Sequence, residues 1–258
     1  MEYVNDCWQC DTSHGPVITV NGEKRKTYLI QVIDDASRLI VGHEFFWNDN
    51  SINFQKVLKQ AIKTYGVPKK VFVDNGTPYK NLQFQTICAN IGTILIHSKP
   101  YTPQGKGKIE RSFRTVKDNF VNCSEWSTFL SLEDLNTKYS EYVDFNYNNH
   151  EHSGINTTPR KRFTKDFDKI KFIEHNSLEY MFLHSLKRTV SSDATINLHK
   201  NLFEVPGKYM KQQIMVRYSP DDLDIAYIYD ENGNMKDIIK PVDKVANSNF
   251  KRESISYE

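Results

Sequence analysis

The order of apolar runs in the first half of this chain restricts its fold more than any other feature. Four short β-branched runs stand out: TYLIQVIDD (27–35), RLIVGHEFFW (38–47), KKVFVD (69–74) and TILIHS (93–98). Between them lie SINFQKVLKQAIKTYG (51–66) and LQFQTICANIG (82–92), whose apolar residues fall at helical spacing. In the first of these, Phe54, Val57, Leu58, Ala61, Ile62 and Tyr65 share a face, Ser51 is placed to cap the start, and Gly66 with Pro68 ends the run. A strand over residues 8–13 carries Asp11, and 15–26 reads as a turn-rich hairpin around Asn21-Gly22. Longer helices are expected from Gln104 to Phe120 and from Leu132 to about Tyr147. Three strands free to pair as an antiparallel meander, followed by helix–strand alternation, make a mixed-sheet α/β core over residues 1–154.

The character changes after residue 154. GINTTPRKRFTKDFDKIKF is basic, contains Pro159, and reads as a connector over 155–184. Beyond it the segments KRTVS, ATINLHKNLFEVP, QQIMVRYS, LDIAYIYD and MKDIIKPV are short and strand-like. Turn signals separate them at Pro206-Gly207, Ser219-Pro220-Asp221-Asp222 and Glu231-Asn232-Gly233-Asn234, so residues 185–258 are expected to form a small all-β barrel. With 38% apolar residues in 258, the chain can bury a core in each of the two domains.

Composition excludes some functions and narrows others. No apolar run approaches the ~18 residues that cross a membrane. The opening MEYVNDCWQCD lacks the basic and apolar regions of a signal peptide, making the cytoplasm the expected location. A net charge of +2 cannot support nucleic-acid binding by bulk electrostatics, so a local patch is required. One exists: between Lys99 and Phe120 there are six Lys or Arg against two acids. Cys7 and Cys10 form a C-x-x-C with no second ligand pair at zinc spacing, and DCWQCDT reads as a strand in which Cys is a small hydrophobe.

Three acids occupy positions that secondary structure could bring together. Asp11 lies within a strand, Asp74 ends a buried strand and opens a D-N-G turn, and Glu110 lies on a helix. A charge in a strand interior needs compensation, and a divalent cation would compensate several carboxylates at once; magnesium favours such oxygen ligands. For any one of these acids alone, a strand-end or surface role is the simpler reading. Asp34 and Asp35 also end a strand, yet they most simply start the turn into Ala36-Ser37-Arg38.

Three stretches, WQCDTSHG (8–15), VFVDNGTPY (71–79) and YTPQGKGKIERSFRTVKDNF (101–120), carry a family resemblance. They are similar to the catalytic core of retroviral integrases and bacterial insertion-sequence transposases, an RNase H-like fold with an Asp-Asp-Glu triad. The 35 residues (75–109) between Asp74 and Glu110 match the family's interval. VIDDASRLIVG (32–42) resembles the family's second and third strands, and YNNHEHSGINTTPRKRF (147–163) resembles the segment following the core in bacterial members. NLHKNLFEVPGKYMKQQIMVRYSPDDLDIAYIYDENG (197–233) resembles the C-terminal β-barrel of the bacteriophage Mu transposase group.

The resemblance implies a DNA transposase or integrase in which Asp11, Asp74 and Glu110 are both catalytic residues and metal ligands. It implies Mg2+, with Mn2+ as a substitute, and phosphoryl transfer at DNA by two metal ions without a covalent enzyme–DNA intermediate. Nicking of an element end would precede its joining to target DNA. The implied partners are double-stranded DNA at element ends and target, further copies of the chain on that DNA, and an accessory ATPase, with no membrane involved. Two alternatives stand beside it: another RNase H-like nuclease such as a resolvase or ribonuclease, and a non-catalytic DNA-binding or regulatory remnant of a transposase. The residues before Trp8 leave no room for the group's helix-turn-helix modules. The expectation is therefore a fragment, a truncated gene or one product of a split reading frame.

The helix carrying Glu110 also suggests how DNA is held. Arg114 lies about 40° from Glu110 around the helix and Lys117 about 20° on the other side, with Lys106 one turn earlier. Ile109, Phe113, Val116 and Phe120 form a stripe roughly 90° away, the natural core face. Lys106, Lys108, Arg111, Arg114 and Lys117 are the candidate DNA-binding residues, against the bland reading of a solvated basic stripe. Gly76 is expected to allow a tight turn beside the metal site, and Gly105 and Gly107 a mobile approach to the helix.

Overall fold

Asn21 and Gly22 both have positive φ, 53° and 81°, the geometry of a two-residue turn between antiparallel strands. In the computed structural model, which describes residues 1–98, 106–123 and 131–243, this turn joins two long strands, β1 (Trp8–Val20) and β2 (Glu23–Asp34). The residues read as a separate hairpin over 15–26 are thus the tip of the same ladder, which runs from Trp8↔Asp34 to Val20↔Glu23. Its register shifts between His14 and Val17. There Pro16 has no N–H to donate, and its carbonyl accepts from Thr27 Oγ1 at 2.7 Å. A Cβ on Gly15 would stand 2.4 Å from that hydroxyl, so only glycine fits.

β3 (Ile40–Phe46) completes the meander on β2. The chain then crosses through α1 (Ser51–Tyr65) to β4 (Lys70–Val73), parallel to β1, and through α2 (Leu82–Ile91) to β5 (Ile94–His97), parallel to β4. The five-stranded order is β3-β2-β1-β4-β5. The cap of α1 is Asn50 rather than the expected Ser51: its extended backbone aims the side-chain oxygen at Asn53 N–H, 2.9 Å away. The Ser51 hydroxyl instead accepts from the Gln55 and Asn81 side-chain amides.

Period-2 alternation puts the two faces of the sheet against different helices. Trp8, Cys10, Ile30, Val32, Val71 and Val73 pack with Phe54 and Leu58 of α1 and Phe84 and Ile87 of α2. On the opposite face, Ile18, Leu29, Ile40 and Phe45 meet α3 (Gly107–Val116) and α4 (Leu132–Glu141) through Val116, Leu135 and Tyr139. A π-helical turn over Lys117–Val121 extends α3, adding Phe120 to that cluster, and Tyr142–Asn146 extends α4 in the same way. The expected helix start at Gln104 lies outside the described residues.

The basic stretch expected as a connector folds onto this core. α5 (Pro159–Thr164) and α6 (His175–Met181) bring Phe163, Leu178 and Phe182 into the cluster around Trp8. The first compact unit therefore runs Met1–Phe182. Apart from the buried Asp166, the charges of this stretch are exposed or half-buried while a few apolar residues at wide spacing do the anchoring.

The second unit starts at Leu183 and is all-β. It contains β6 (His184–Thr189), the hairpin of β7 (Thr195–Leu198) and β8 (Asn201–Glu204), then β9 (Gln213–Tyr218), β10 (Ala226–Tyr229) and β11 (Met235–Ile239). Four strands pair in the order β11-β10-β9-β6. The hairpin joins the chain just past β11: Glu204 N donates to Lys240 O and Val242 N to Leu202 O, at 3.0 and 2.8 Å. Ile196, Leu198, Phe203, Val216 and Ile228 fill its core. Among the described residues no helix is long and apolar enough to cross a membrane.

Candidate active site

Parallel pairing of β1 with β4 sets Gln9 opposite Phe72. Two residues on from each lie Asp11 and Asp74, so the register alone brings the two carboxylates side by side on neighbouring strands. Each spends one oxygen on a backbone N–H: Asp11 Oδ1 accepts from Thr12 N at 2.9 Å, Asp74 Oδ1 from Gly76 N at 2.7 Å. Gly76 has an ordinary φ of −63°, so handedness does not explain it. A Cβ there would stand 2.8 Å from Asp74 Oδ1, and close approach is what requires glycine.

The remaining oxygens converge on one cation. Lys106 Nζ lies 2.9 Å from Asp11 Oδ2 and 3.0 Å from Asp74 Oδ2. Burial pushes the Asp11 carboxyl above its usual range despite this pairing. Burial alone would lower the Lys106 ammonium, but its hydrogen bonds and charge pairing with Asp11 and Asp74 hold it above its ordinary value. The site is short of positive charge, and Lys106 supplies it. Tyr79 ties the turn after Asp74 to β1, its hydroxyl 3.0 Å from Thr12 Oγ1 and its ring edge-on to Phe54.

Glu110 sits exposed in the first turn of α3, its backbone N–H donating to Lys106 O at 3.1 Å. Its carboxylate has no ion pair among the described residues. Nor, among those residues, do three His, Cys, Asp or Glu side chains gather closely enough to hold a metal. The structure thus joins Asp11 and Asp74 through Lys106 and places Glu110 one helical turn further along the same segment.

Two buried glutamines fix that helix on either side of Glu110. Gln9 Oε1 accepts from Ile109 N at 3.2 Å, while Gln9 Nε2 donates to Asp35 Oδ1 at 2.8 Å. Lys108 Nζ reaches Asp35 Oδ2 at 2.6 Å. Burial alone would raise the Asp35 carboxyl, but Lys108 and the N-terminal amine outweigh it and hold it low. Gln31, the cross-strand partner of Asp11, donates to Ser112 Oγ at 2.7 Å and accepts from Tyr139 Oη at 2.6 Å. Sequence reasoning missed both glutamines; the one available signal was a polar side chain inside an apolar strand. Asp34 does start the turn, accepting from Ser37 N and Oγ, whereas Asp35 has the further task of anchoring α3.

Of the five candidate DNA-binding residues, Lys106 and Lys108 are paired with carboxylates, and Arg111, Arg114 and Lys117 are exposed without ion pairs among the described residues. Ile109, Val116 and Phe120 are buried as the stripe requires. Cys7 and Cys10 are buried free thiols that burial pushes upward, Cys7 to about 11.

Residues 2–103 match the integrase core domain family, and residues 179–237 match the Mu transposase C-terminal family. Over these two segments the chain is similar to integrases and transposases. It is 25% identical to the transposase of transposon Tn552 from Staphylococcus aureus, over 85% of this chain and 50% of that protein. It is 24% identical to a putative transposase of insertion sequence IS5376 from Geobacillus stearothermophilus, over 81% of this chain and 53% of the relative. The chain therefore spans about half the length of these curated relatives. A cryo-electron microscopy structure of a simian T-cell lymphotropic virus intasome, in complex with PP2A regulatory subunit B56 gamma, shares the fold. The TM-score is 0.50 at 17% identity, covering 93% of this chain and 77% of that one. The mixed five-stranded sheet with helices on both faces is the RNase H-like core that the resemblance implied, and an all-β unit follows it in the chain.

Proposed function

We propose that this chain is the catalytic region of a transposase that cleaves element ends and joins them to target DNA by divalent-metal-dependent phosphoryl transfer. The Asp11–Lys106–Asp74 bridge carries the reading: two strand carboxylates, each with one oxygen fixed by backbone, turn the other onto a single cation. Oxygen donors and the shared positive charge suit Mg2+, with Mn2+ as substitute. Asp11 and Asp74 would hold the ion, and Glu110, on the same segment as Lys106, would complete the set. When bound, the metal supplies Lewis acidity for an in-line displacement at phosphorus.

The chain's own residues do the remaining work. Lys106 keeps the two carboxylates from repelling each other in the metal-free protein and would have to give way for them to hold a metal. Gln9 and Gln31 hold α3 so that Glu110 stays in register with Asp11. Arg114 and Lys117, exposed on that helix near Glu110, contact the DNA backbone. No side chain serves as nucleophile: water attacks in cleavage and the 3′-hydroxyl of the element end in joining. On this reading the protein acts in the cytoplasm as a homo-oligomer on double-stranded DNA, aided by an accessory ATPase, with the β unit serving DNA contact and assembly.

Magnesium-dependent cleavage of a duplex bearing an element end tests the proposal. Asp11→Asn removes one of the two paired charges and is expected to abolish cleavage while retaining duplex binding. Cleavage by that variant at the wild-type rate would contradict the assignment.

A further inference from the structure

Beside the acidic site lies a second group of cations that its chemistry leaves unused. A cleft of about 550 Å3 opens between the turn after β2, the start of α3 and the loop that follows α4, lined by Gln9, Asp35, Arg38, Lys108, Arg111 and His152. Its acid is already matched: Asp35 pairs with Lys108 and with the N-terminal amine. Arg38, Arg111 and His152 have no carboxylate within ion-pair distance among the described residues. Arg38 is anchored in a left-handed turn, φ 66°, by its N–H to Asp34 O. Its Nη1 is shielded from solvent and has no hydrogen-bond partner. A buried charged donor without an acceptor is costly, and the same side chain lines the cleft.

The neighbours repeat the pattern. Burial depresses the Arg38 guanidinium against the opposing pull of Asp35 and Asp34, with Arg111 adding a smaller depression, and burial followed by both arginines depresses the His152 imidazole. His152 Nδ1 accepts from Gly154 N at 3.1 Å, which places its proton on Nε2 and leaves that atom as a donor. Arg114 and Lys117 are solvated cations of an ordinary kind; this cluster holds two guanidiniums and an imidazole N–H around one cleft.

We propose that this cleft binds a phosphodiester of the DNA away from the scissile position, with Arg38 and Arg111 on its non-bridging oxygens and His152 donating from Nε2. Guanidinium suits phosphate because several N–H groups meet two oxygens at once. The cleft adjoins the acidic site along two elements: Gln9 lies two residues before Asp11 on β1, and Arg111 follows Glu110 on α3. One duplex can therefore engage both. The inference rests on the reading of DNA as substrate.

Fluorescence anisotropy with a short DNA duplex, in EDTA and over a range of salt, tests the cleft without any metal chemistry. Arg111→Gln is expected to weaken binding and to lower the slope of log affinity against log salt by about one, the release expected for one phosphate contact. Arg38→Gln is expected to do the same. Because both would grip one phosphate, the double variant is expected to lose about one in slope rather than two. Thermal melting checks that each variant folds; should Arg38→Gln not, Arg111→Gln alone still decides. An unchanged slope in folded Arg111→Gln, with wild-type binding intact, overturns the cleft and leaves the substrate reading standing. Failure of the wild type to bind duplex overturns both.

Discussion

Lys106 keeps two carboxylates together that would otherwise repel across adjacent strands. In the sequence Asp11 stands within a strand and Asp74 at the end of one, and the resemblance to integrase cores singled them out. The bridging ammonium was not legible there, since its position depends on how the segment before α3 returns to the sheet. Replacing it by Lys106→Met leaves the paired acids uncompensated, and we expect a loss of about 1–2 kcal/mol in metal-free protein after discounting for partial exposure. Millimolar Mg2+ should then raise the melting temperature of the variant more than that of the wild type, as a ligand binding only the folded state does. A variant indifferent to Mg2+ would speak against a metal position between these acids. His43 on β3, edge-on to Tyr139, shows burial acting on a single residue: desolvation lowers its pKa from 6.5 to about 4. The folded pKa lies below the unfolded one, so its contribution is complete above pH 6.5 and is lost as pH falls toward about 4. Relative to His43→Leu, the wild type should lose about 2–3 kcal/mol of unfolding free energy between ~pH 7.5 and ~pH 4.5. Equal pH dependence in the two proteins would show that His43 titrates normally.

At the scale of elements, α3 illustrates what local patterning can and cannot foretell. Its buried stripe of Ile109, Val116 and Phe120 follows from helical periodicity. Its rotation and height over the sheet are set by Gln9 and Gln31, which sit among apolar neighbours in β1 and β2 and show their purpose only once α3 is packed on them. Gln31→Leu would leave the Tyr139 hydroxyl without its buried acceptor, a cost of about 1–3 kcal/mol. The turnover of DNA cleavage is expected to fall far more than duplex affinity, because Glu110 shifts relative to Asp11 while the exposed Arg114 and Lys117 stay available. Equal losses in turnover and affinity would indicate a general loss of structure instead. The strands show a similar division. Asn21-Gly22 announced its turn, but the flanking residues looked like a separate hairpin because the exposed, charged start of β2 lacks an apolar signature.

Over the whole molecule, the change from helix–strand alternation to short strands separated by turns announced the second unit, and its all-β content follows from those turn residues. The boundary fell at Leu183 with no connector before it, because Phe163, Leu178 and Phe182 tie the basic stretch to the first core despite its charge. What unites the account is one claim: Asp11, Asp74 and Glu110 act together on a divalent metal. Glu110 is the member whose exposed position makes that claim most vulnerable. Magnesium-dependent strand transfer with pre-nicked element ends, comparing wild type with Glu110→Gln, tests it most directly. The account predicts that the variant binds the ends with wild-type affinity, melts at the wild-type temperature and joins none of them to target DNA; joining at the wild-type rate would contradict it.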